Sequence, residues 1–147
     1  MSDAHPSTPA PAGNLLLDVV SPRGSHVHTA VQVVQATSVS GDFAVLAGHR
    51  PLLVALRPGL LRYRDAKGET QAAIGAGFAE VEPDRVRVVA DVFVSGEEAD
   101  ADKAQQEREA AAQALADFEG HQSGAAFEAV QRHIDWAQAL SNLAQHS

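Results

Sequence analysis

"LLRYRDAKGETQAAIGAGFAEVEPDRVRVV", residues 60–89, contains two short runs in which arginine takes every second position: Arg62 and Arg64 flank Tyr63, and Arg85 and Arg87 flank Val86. A period of 2 is the repeat of a pleated strand with one wet face; a helix would return its basic groups every third or fourth residue. "DAKG" (residues 65–68) and "EPDR" (residues 82–85) interrupt these runs, and "SPRG" (residues 21–24) and "SVSGD" (residues 38–42) punctuate the chain earlier in the same way. In "SPRG" and "EPDR" the proline supplies the fixed φ of a turn's first central residue. Valine is abundant and short strands recur at nearly regular spacing. Leu15 to Val94 therefore predicts an antiparallel β-sandwich or flattened barrel.

After Val94 the period changes. "SGEEADADKAQQEREAAAQALADFE" (residues 95–119) is dominated by good helix formers. Ser95 and Glu98 have the spacing of a capping box, and Glu97, Glu98, Asp100 and Asp102 crowd the end where the helix dipole favours negative charge. Gly120 is the predicted stop, Ser123 the predicted cap of a second helix, and that helix is expected from Ala125 to Gln145. Phe127, Val130, Ile134 and Ala137 give it one apolar face. The fold class is α+β: a leader over residues 1–13, a β-sandwich over 14–95 and a two-helix antiparallel hairpin over 96–147. The first helix has only Leu115 and Phe118 as large apolar groups. At roughly 25 cal/mol per Å² of buried apolar surface an alanine face contributes little, so the hairpin is expected to be weakly attached.

Composition narrows the function. The 147 residues include no cysteine, which excludes disulfides and thiolate metal sites. No apolar run approaches the ~18 residues of a membrane helix, so no membrane insertion is expected. The opening "MSDAHPSTPAPAG" lacks the basic region and apolar core of a signal peptide and reads as a disordered leader. Residues 1–96 carry eight Lys/Arg against nine Asp/Glu, and residues 97–147 carry three against ten, so about −7 of the net −8 lies in the last third. Such a chain is a poor ligand for nucleic acid and a better one for protein.

Few residues suggest chemistry. His26 and His28 would share a strand face as a metal pair could, but no carboxylate follows in "TAVQVVQ", and a solvated face explains them better. "GAGF" (residues 75–78) lies between strands rather than opening a helix, so backbone crowding accounts for its glycines better than a bound phosphate. Histidine as a residue type is suited to general-base work at neutral pH, so His49 is a candidate in principle, but it has no visible orienting partner, and Asp42 is offered only as a guess. No catalytic residue and no metal site is assigned.

Three spaced motifs then agree. "LDVVSP" from Leu17, "GDFAVLAGHRPLLVALRPG" over residues 41–59 and "IGAGFAEVEPDRVRVVAD" over residues 74–91 closely resemble the epsilon subunit of bacterial F-type ATP synthases, called delta in mitochondria. The resemblance runs in order over about residues 15–100, and the helical hairpin follows where that family has one. It implies a non-catalytic rotor subunit of the central stalk that couples ion-driven rotation to ATP synthesis. The implied partners are the gamma subunit, the c subunits of the rotor ring and, through the hairpin, the catalytic beta and alpha subunits, with regulation of ATP hydrolysis. The implied place is the cytoplasmic face of the bacterial plasma membrane, as a peripheral component. By matching position, Asp42, His49 and Arg50 would face the rotor ring.

Two departures from the family pattern stand out. Ala47 replaces a proline before the Gly-His pair, which loosens the loop. Several relatives bind ATP as a regulatory ligand through an aliphatic residue, Asp, two variable positions, Arg and Ala at the start of the first helix. Here the window reads "ADADKA" (residues 99–104): Ala99 replaces the aliphatic residue and Lys103 the arginine, while Asp100 and Ala104 match. Asp100, Lys103 and Arg108 remain the groups available to a nucleotide, but lysine offers a point charge where arginine offers a bidentate fork. No cofactor is expected. Two other readings stay open on the residues alone: a free-standing β-sandwich adaptor that uses the acidic hairpin to bind a partner, and a small enzyme that uses His49.

Overall fold

The computed structural model describes residues 13–120 and 124–145, so most of the expected leader and the expected cap Ser123 lie outside the described residues. Ten strands form one sheet among them: β1 (Leu15–Ser21), β2 (Gly24–Val31), β3 (Val33–Ser38), β4 (Gly41–Leu46), β5 (Leu52–Leu56), β6 (Gly59–Asp65), β7 (Gly68–Ile74), β8 (Gly77–Glu82), β9 (Arg85–Ala90) and β10 (Phe93–Ser95). Their order is β10-β7-β6-β3-β5-β8-β9-β1-β2, with β4 paired to β3 off that path. The sheet curls until its two end strands meet, where His26 of β2 stacks on Phe93 of β10 with ring centroids 4.4 Å apart. The result is a nearly closed sandwich.

All four predicted turns close hairpins, at Ser21–Gly24, Ser38–Gly41, Asp65–Gly68 and Glu82–Arg85. Arg62, Arg64, Arg85 and Arg87 are exposed, and the alternate positions Leu61, Val86 and Val88 are buried with Leu15, Leu17, Val19 and Ile74. One pairing departs from the antiparallel pattern. β1 runs antiparallel to β2 but parallel to β9, with Leu16 opposite Arg85 and Val20 opposite Val89. The first strand thus enters between partners distant in sequence, and no local turn signal reports such a pairing.

The glycines of "GAGF" are required by close approach. A Cβ on Gly77 would lie 1.8 Å from the carbonyl oxygen of Val89, and one on Gly75 would lie 1.8 Å from Oδ1 of Asp91. Their neighbourhood is tied by backbone bonds from Gly75 N–H to the Val92 carbonyl and from Asp91 N–H to the Ala76 carbonyl, each 2.9 Å.

The helical half differs from expectation at both ends of its first helix. The Ser95–Glu98 capping box forms, with Ser95 N–H donating to Glu98 Oε1 at 2.9 Å and Glu98 N–H to Ser95 Oγ at 3.3 Å, but it closes only a 3-10 turn over Gly96–Glu98. Ala99 is extended, and the helix α1 (Ala101–Ala116) restarts from Asp100, whose carboxylate accepts from the N–H groups of Asp102 and Lys103. A charged N-cap accepting two N–H bonds competes successfully with the serine upstream. At the far end α1 stops at Asp117 rather than Gly120. Asp117 Oδ1 accepts from Gln113 Nε2 at 2.8 Å, and Phe118 turns to meet Phe127 edge-on at 5.5 Å.

The second helix, α2 (Ala125–Gln145), has the expected span but two apolar faces rather than one. Phe127, Ile134 and Ala137 face α1: Phe127 meets Phe118, and the other two line a groove with Ala111 and Leu115. Trp136, Ala139, Leu140 and Leu143 instead pack on the sheet with Leu60, Ala73, Val94 and Ala99. It is α2 that packs on β6 and β7, and α1 rides on α2. None of the helices among the described residues is long and apolar enough to cross a membrane.

Candidate functional site

The loop between β4 and β5 displays His49 and Arg50 at one end of the sandwich. Gly48 turns the chain at φ +86°, a conformation that β-carbon-bearing residues rarely adopt, and its N–H donates to the Pro83 carbonyl at 2.7 Å. The loop is thereby pinned against the β8–β9 turn. The His49 N–H donates to the Leu46 carbonyl at 3.2 Å, and Nδ1 lies 2.8 Å from the carbonyl oxygen of Arg50. A carbonyl only accepts, so Nδ1 is the donor in this contact.

Asp42 does not join that pair. It opposes Thr37 at the start of β4 and accepts from Thr37 Oγ1 at 2.8 Å. Leu46, at the other end of β4, opposes Val33. At roughly 3.3 Å per residue, Asp42 and the His49 loop are more than ~13 Å apart. The carboxylate therefore does not orient the imidazole. His49 and Arg50 form one surface feature; Asp42 belongs to another, lining a cleft of about 500 Å³ with Phe43, Arg62, Asp135, Gln138 and Asn142 beside α2.

A second surface has no counterpart in the sequence reading. On β5, Leu53 and Ala55 point outward; Ala55 opposes Phe78 of β8, Phe78 opposes Val89 of β9, and Leu53 opposes Glu80. Leu53 is 69% exposed and Phe78 41%. Apolar side chains side by side on one open sheet face offer the kind of surface that a partner can cover. The sequence signal was present: "LLVAL" (residues 52–56) has no polar position, so both faces of β5 are apolar although only one can point inward.

The groups proposed for a nucleotide do not converge. Asp100 is engaged as the cap of α1, Lys103 is exposed in the first turn, and Arg108 Nη1 reaches only Gln105 Oε1 at 3.4 Å. Positions five apart on a helix are about 140° apart around its axis, so Lys103 and Arg108 leave on different faces. The histidines of β2 are likewise separate in role. His26 Nε2 sits 2.5 Å from Ser21 Oγ and its ring covers Phe93, whereas His28 Nδ1 lies 3.7 Å from Asp18. Among the described residues no group of three His, Cys, Asp or Glu is placed to hold a metal.

Two electrostatic features frame the junction between strands and helices. The Ser95 backbone N–H and then its hydroxyl hold the Glu98 carboxyl below the usual glutamate range, with smaller help from Arg23 and His26. Burial pushes the Tyr63 hydroxyl up, against the opposing hydrogen bond from Thr70. Farther along, Arg57 on the β5–β6 link grips Asp135 of α2: Nη2 lies 2.9 Å from Oδ1 and Nε 3.1 Å from Oδ2. These two residues carry no local pattern that could have linked them.

The sequence and the fold both have known relatives. A family model described as the β-sandwich domain of the ATP synthase delta/epsilon chain matches residues 14–96. The chain is similar to the ATP synthase epsilon chain of Desulfatibacillum aliphaticivorans, at 41% identity over 105 residues that cover 71% of this chain and 74% of that one. The ATP synthase epsilon chain of Desulfosudis oleivorans is 40% identical over 105 residues, covering 71% and 79%. Among solved structures, a chain in the Euglena gracilis mitochondrial ATP synthase (OSCP/F1/c-ring, rotational state 1) superposes with a TM-score of 0.73 at 23% identity, over 97% of this chain and 88% of that one, a likeness of fold.

Proposed function

The chain belongs to the delta/epsilon family of ATP synthase subunits, and from that premise we propose that it sits in the central stalk of an F-type enzyme and couples the rotor ring to the gamma subunit. In this role it is a non-catalytic part of the complex. The observation that carries the reading is the outward apolar stripe of Leu53, Ala55, Phe78 and Val89 on an otherwise well-packed sandwich. We assign that stripe to gamma, whose contact would remove it from water. The His49–Arg50 loop, pinned at one end of the sandwich, is assigned to the c subunits of the rotor ring. Asp42, at the opposite end of β4, would reach the ring only as a second, separate contact.

In this reading the chain is peripheral to the cytoplasmic face of a bacterial plasma membrane and turns with the rotor. The sandwich over residues 14–95 is the docking unit, and the hairpin over 96–147 is a regulatory appendage that approaches the beta and alpha subunits. Residues 97–147 carry three Lys/Arg against ten Asp/Glu, and we take the surface they approach to be acidic, so that extension is opposed by charge. The hairpin is therefore a weak inhibitor at neutral pH. Co-purification tests the whole: the chain mixed with alpha, beta and gamma subunits should elute as one complex and restore coupling to membranes stripped of it. Elution apart from gamma at micromolar concentration would overturn the assignment.

A further inference from the structure

Four arginines lie on strands, and three of them stand opposite a glutamate: Arg64 opposite Glu69, Arg85 opposite Glu82 and Arg87 opposite Glu80. Such opposite-charge neighbours stabilise a sheet. Arg62 is the exception, because its cross-strand neighbours are two amides, Gln35 on β3 and Gln71 on β7. Arg62 lines the cleft beside α2, and so does Asp42, whose carboxylate accepts from the Thr37 hydroxyl. Among the described residues neither Arg62 nor Asp42 belongs to an ion pair. The remaining charged group of the cleft, Asp135, is already answered by the Arg57 fork. We propose that this cleft binds a small zwitterion, an α-amino acid, whose carboxylate meets Arg62 and whose ammonium meets Asp42. The proposal concerns the free chain and does not depend on the stalk assignment.

The walls of the cleft suit a polar ligand. On α2 they are Asp135, Gln138 and Asn142, spaced i, i+3 and i+7 and therefore on one stripe of the helix. The sheet supplies Gln35, Thr37 and Arg62. On a neighbouring stripe α2 packs against the sheet in the usual apolar way, through Ala139 and Leu143 on Leu60 and Ala73. Polar side chains on both walls instead keep a slot open to water. Gln138 Nε2 donates to Asn142 Oδ1 at 3.0 Å, which ties the two helix amides into one edge. The slot has about 500 Å³, inside the ~300–1,000 Å³ range of small-molecule sites. Arg62 is opposite Gln35 and Asp42 is opposite Thr37, so the two are two strands and two residues apart on one face. At ~4.8 Å per strand and ~3.4 Å per residue, their α-carbons are about 12 Å apart. A molecule carrying both charges bridges that gap. A simple anion would satisfy Arg62 but bring like charge toward Asp42, and a simple cation would do the reverse at Arg62.

Titration of the isotope-labelled full chain with L-glutamine, followed by NMR, tests this. Glutamine is the probe because its carboxamide can both donate to and accept from the amides on α2. Saturable shifts are expected at Gln35, Arg62, Gln138 and Asn142, with half-saturation at millimolar concentration. N-acetyl-L-glutamine lacks the ammonium and L-glutaminamide lacks the carboxylate. Each should bind at least about fivefold more weakly, the loss expected for one charge-assisted contact at a partly exposed site. Asp42→Asn and Arg62→Gln should weaken glutamine by a similar factor, and inorganic phosphate should not displace it. Shifts that do not saturate at tens of millimolar would show that the cleft holds only water. Equal binding of the two analogues and glutamine would show that the charges are not read. Displacement by phosphate, with Asp42→Asn unchanged from wild type, would show a plain anion site at Arg62. Any of these three results overturns the proposal.

Discussion

Replacing Leu53 with threonine separates the contact role of the β5–β8 stripe from its part in folding. Full burial of a leucine side chain is worth about 1.5–3 kcal/mol. Leu53 is 69% exposed in the free chain, so about two thirds of that, ~1–2 kcal/mol, is still available to a partner. Losing it should weaken binding to gamma by roughly 5- to 30-fold. Threonine suits the position because its branched side chain fits a strand, whereas glutamate would stand opposite Glu80 and add a like-charge penalty unrelated to gamma. Thermal stability should change by less than about 0.5 kcal/mol, because little of the side chain is buried within the chain. Calorimetric titration into gamma, paired with a melting curve, reads both quantities. Unchanged affinity with the fold intact would remove Leu53 from the contact, and a large loss of stability would mean that the stripe serves the fold.

Gly77→Ala and Gly75→Ala should differ although both added carbons meet an atom at 1.8 Å. At Gly77 the obstacle is the Val89 backbone, which moves only if the β8–β9 pairing breaks, so a loss of about 3 kcal/mol is expected, ~6–12 °C in melting temperature for a chain of this length. At Gly75 the obstacles are the side chains of Asp91 and Val92, which can swing away, and the loss should stay near ~1 kcal/mol; equal losses would refute the distinction. Millimolar ATP should raise the melting temperature by less than a degree, because Asp100 is occupied as a cap and Lys103 and Arg108 diverge; a rise of several degrees that Lys103→Ala abolished would contradict this.

Local features of the fold were legible in the sequence, and distant pairings were not. The turns at Ser21–Gly24 and Glu82–Arg85, the alternating arginines and the span of α2 all follow from neighbouring residues. The start of α1 was misread because two capping signals five residues apart compete, and composition does not rank Ser95 against Asp100. The sheet-facing side of α2 was missed because Trp136, Ala139, Leu140 and Leu143 form a second apolar repeat at i, i+3, i+4 and i+7, turned around the helix from the stripe of Phe127, Val130, Ile134 and Ala137. For the candidate site, His49 and Arg50 stood out by their chemistry, and grouping them with Asp42 was natural on a short segment. A strand of six residues nevertheless separates its two ends by most of the depth of the sandwich. Arg57 and Asp135 had no signal at all, since nothing in a sequence reports that a loop and a helix meet.

The parallel pairing of β1 with β9 has a consequence for synthesis. A chain made from its N-terminus releases the β1–β2 hairpin early, but the other edge of β1 stays open until residues 85–89 emerge. Until then Leu15, Leu17 and Val19 have only half of their eventual neighbours, and the open edge is free to pair wrongly. Closure is therefore a late, largely all-or-none event, with the slow kinetics of non-local topologies. Ribosome-bound chains stopped before residue 85 should stay protease-sensitive throughout, and those extended past residue 95 by the length of the exit tunnel should become resistant at once. The helices then arrive last, onto a body that is already finished.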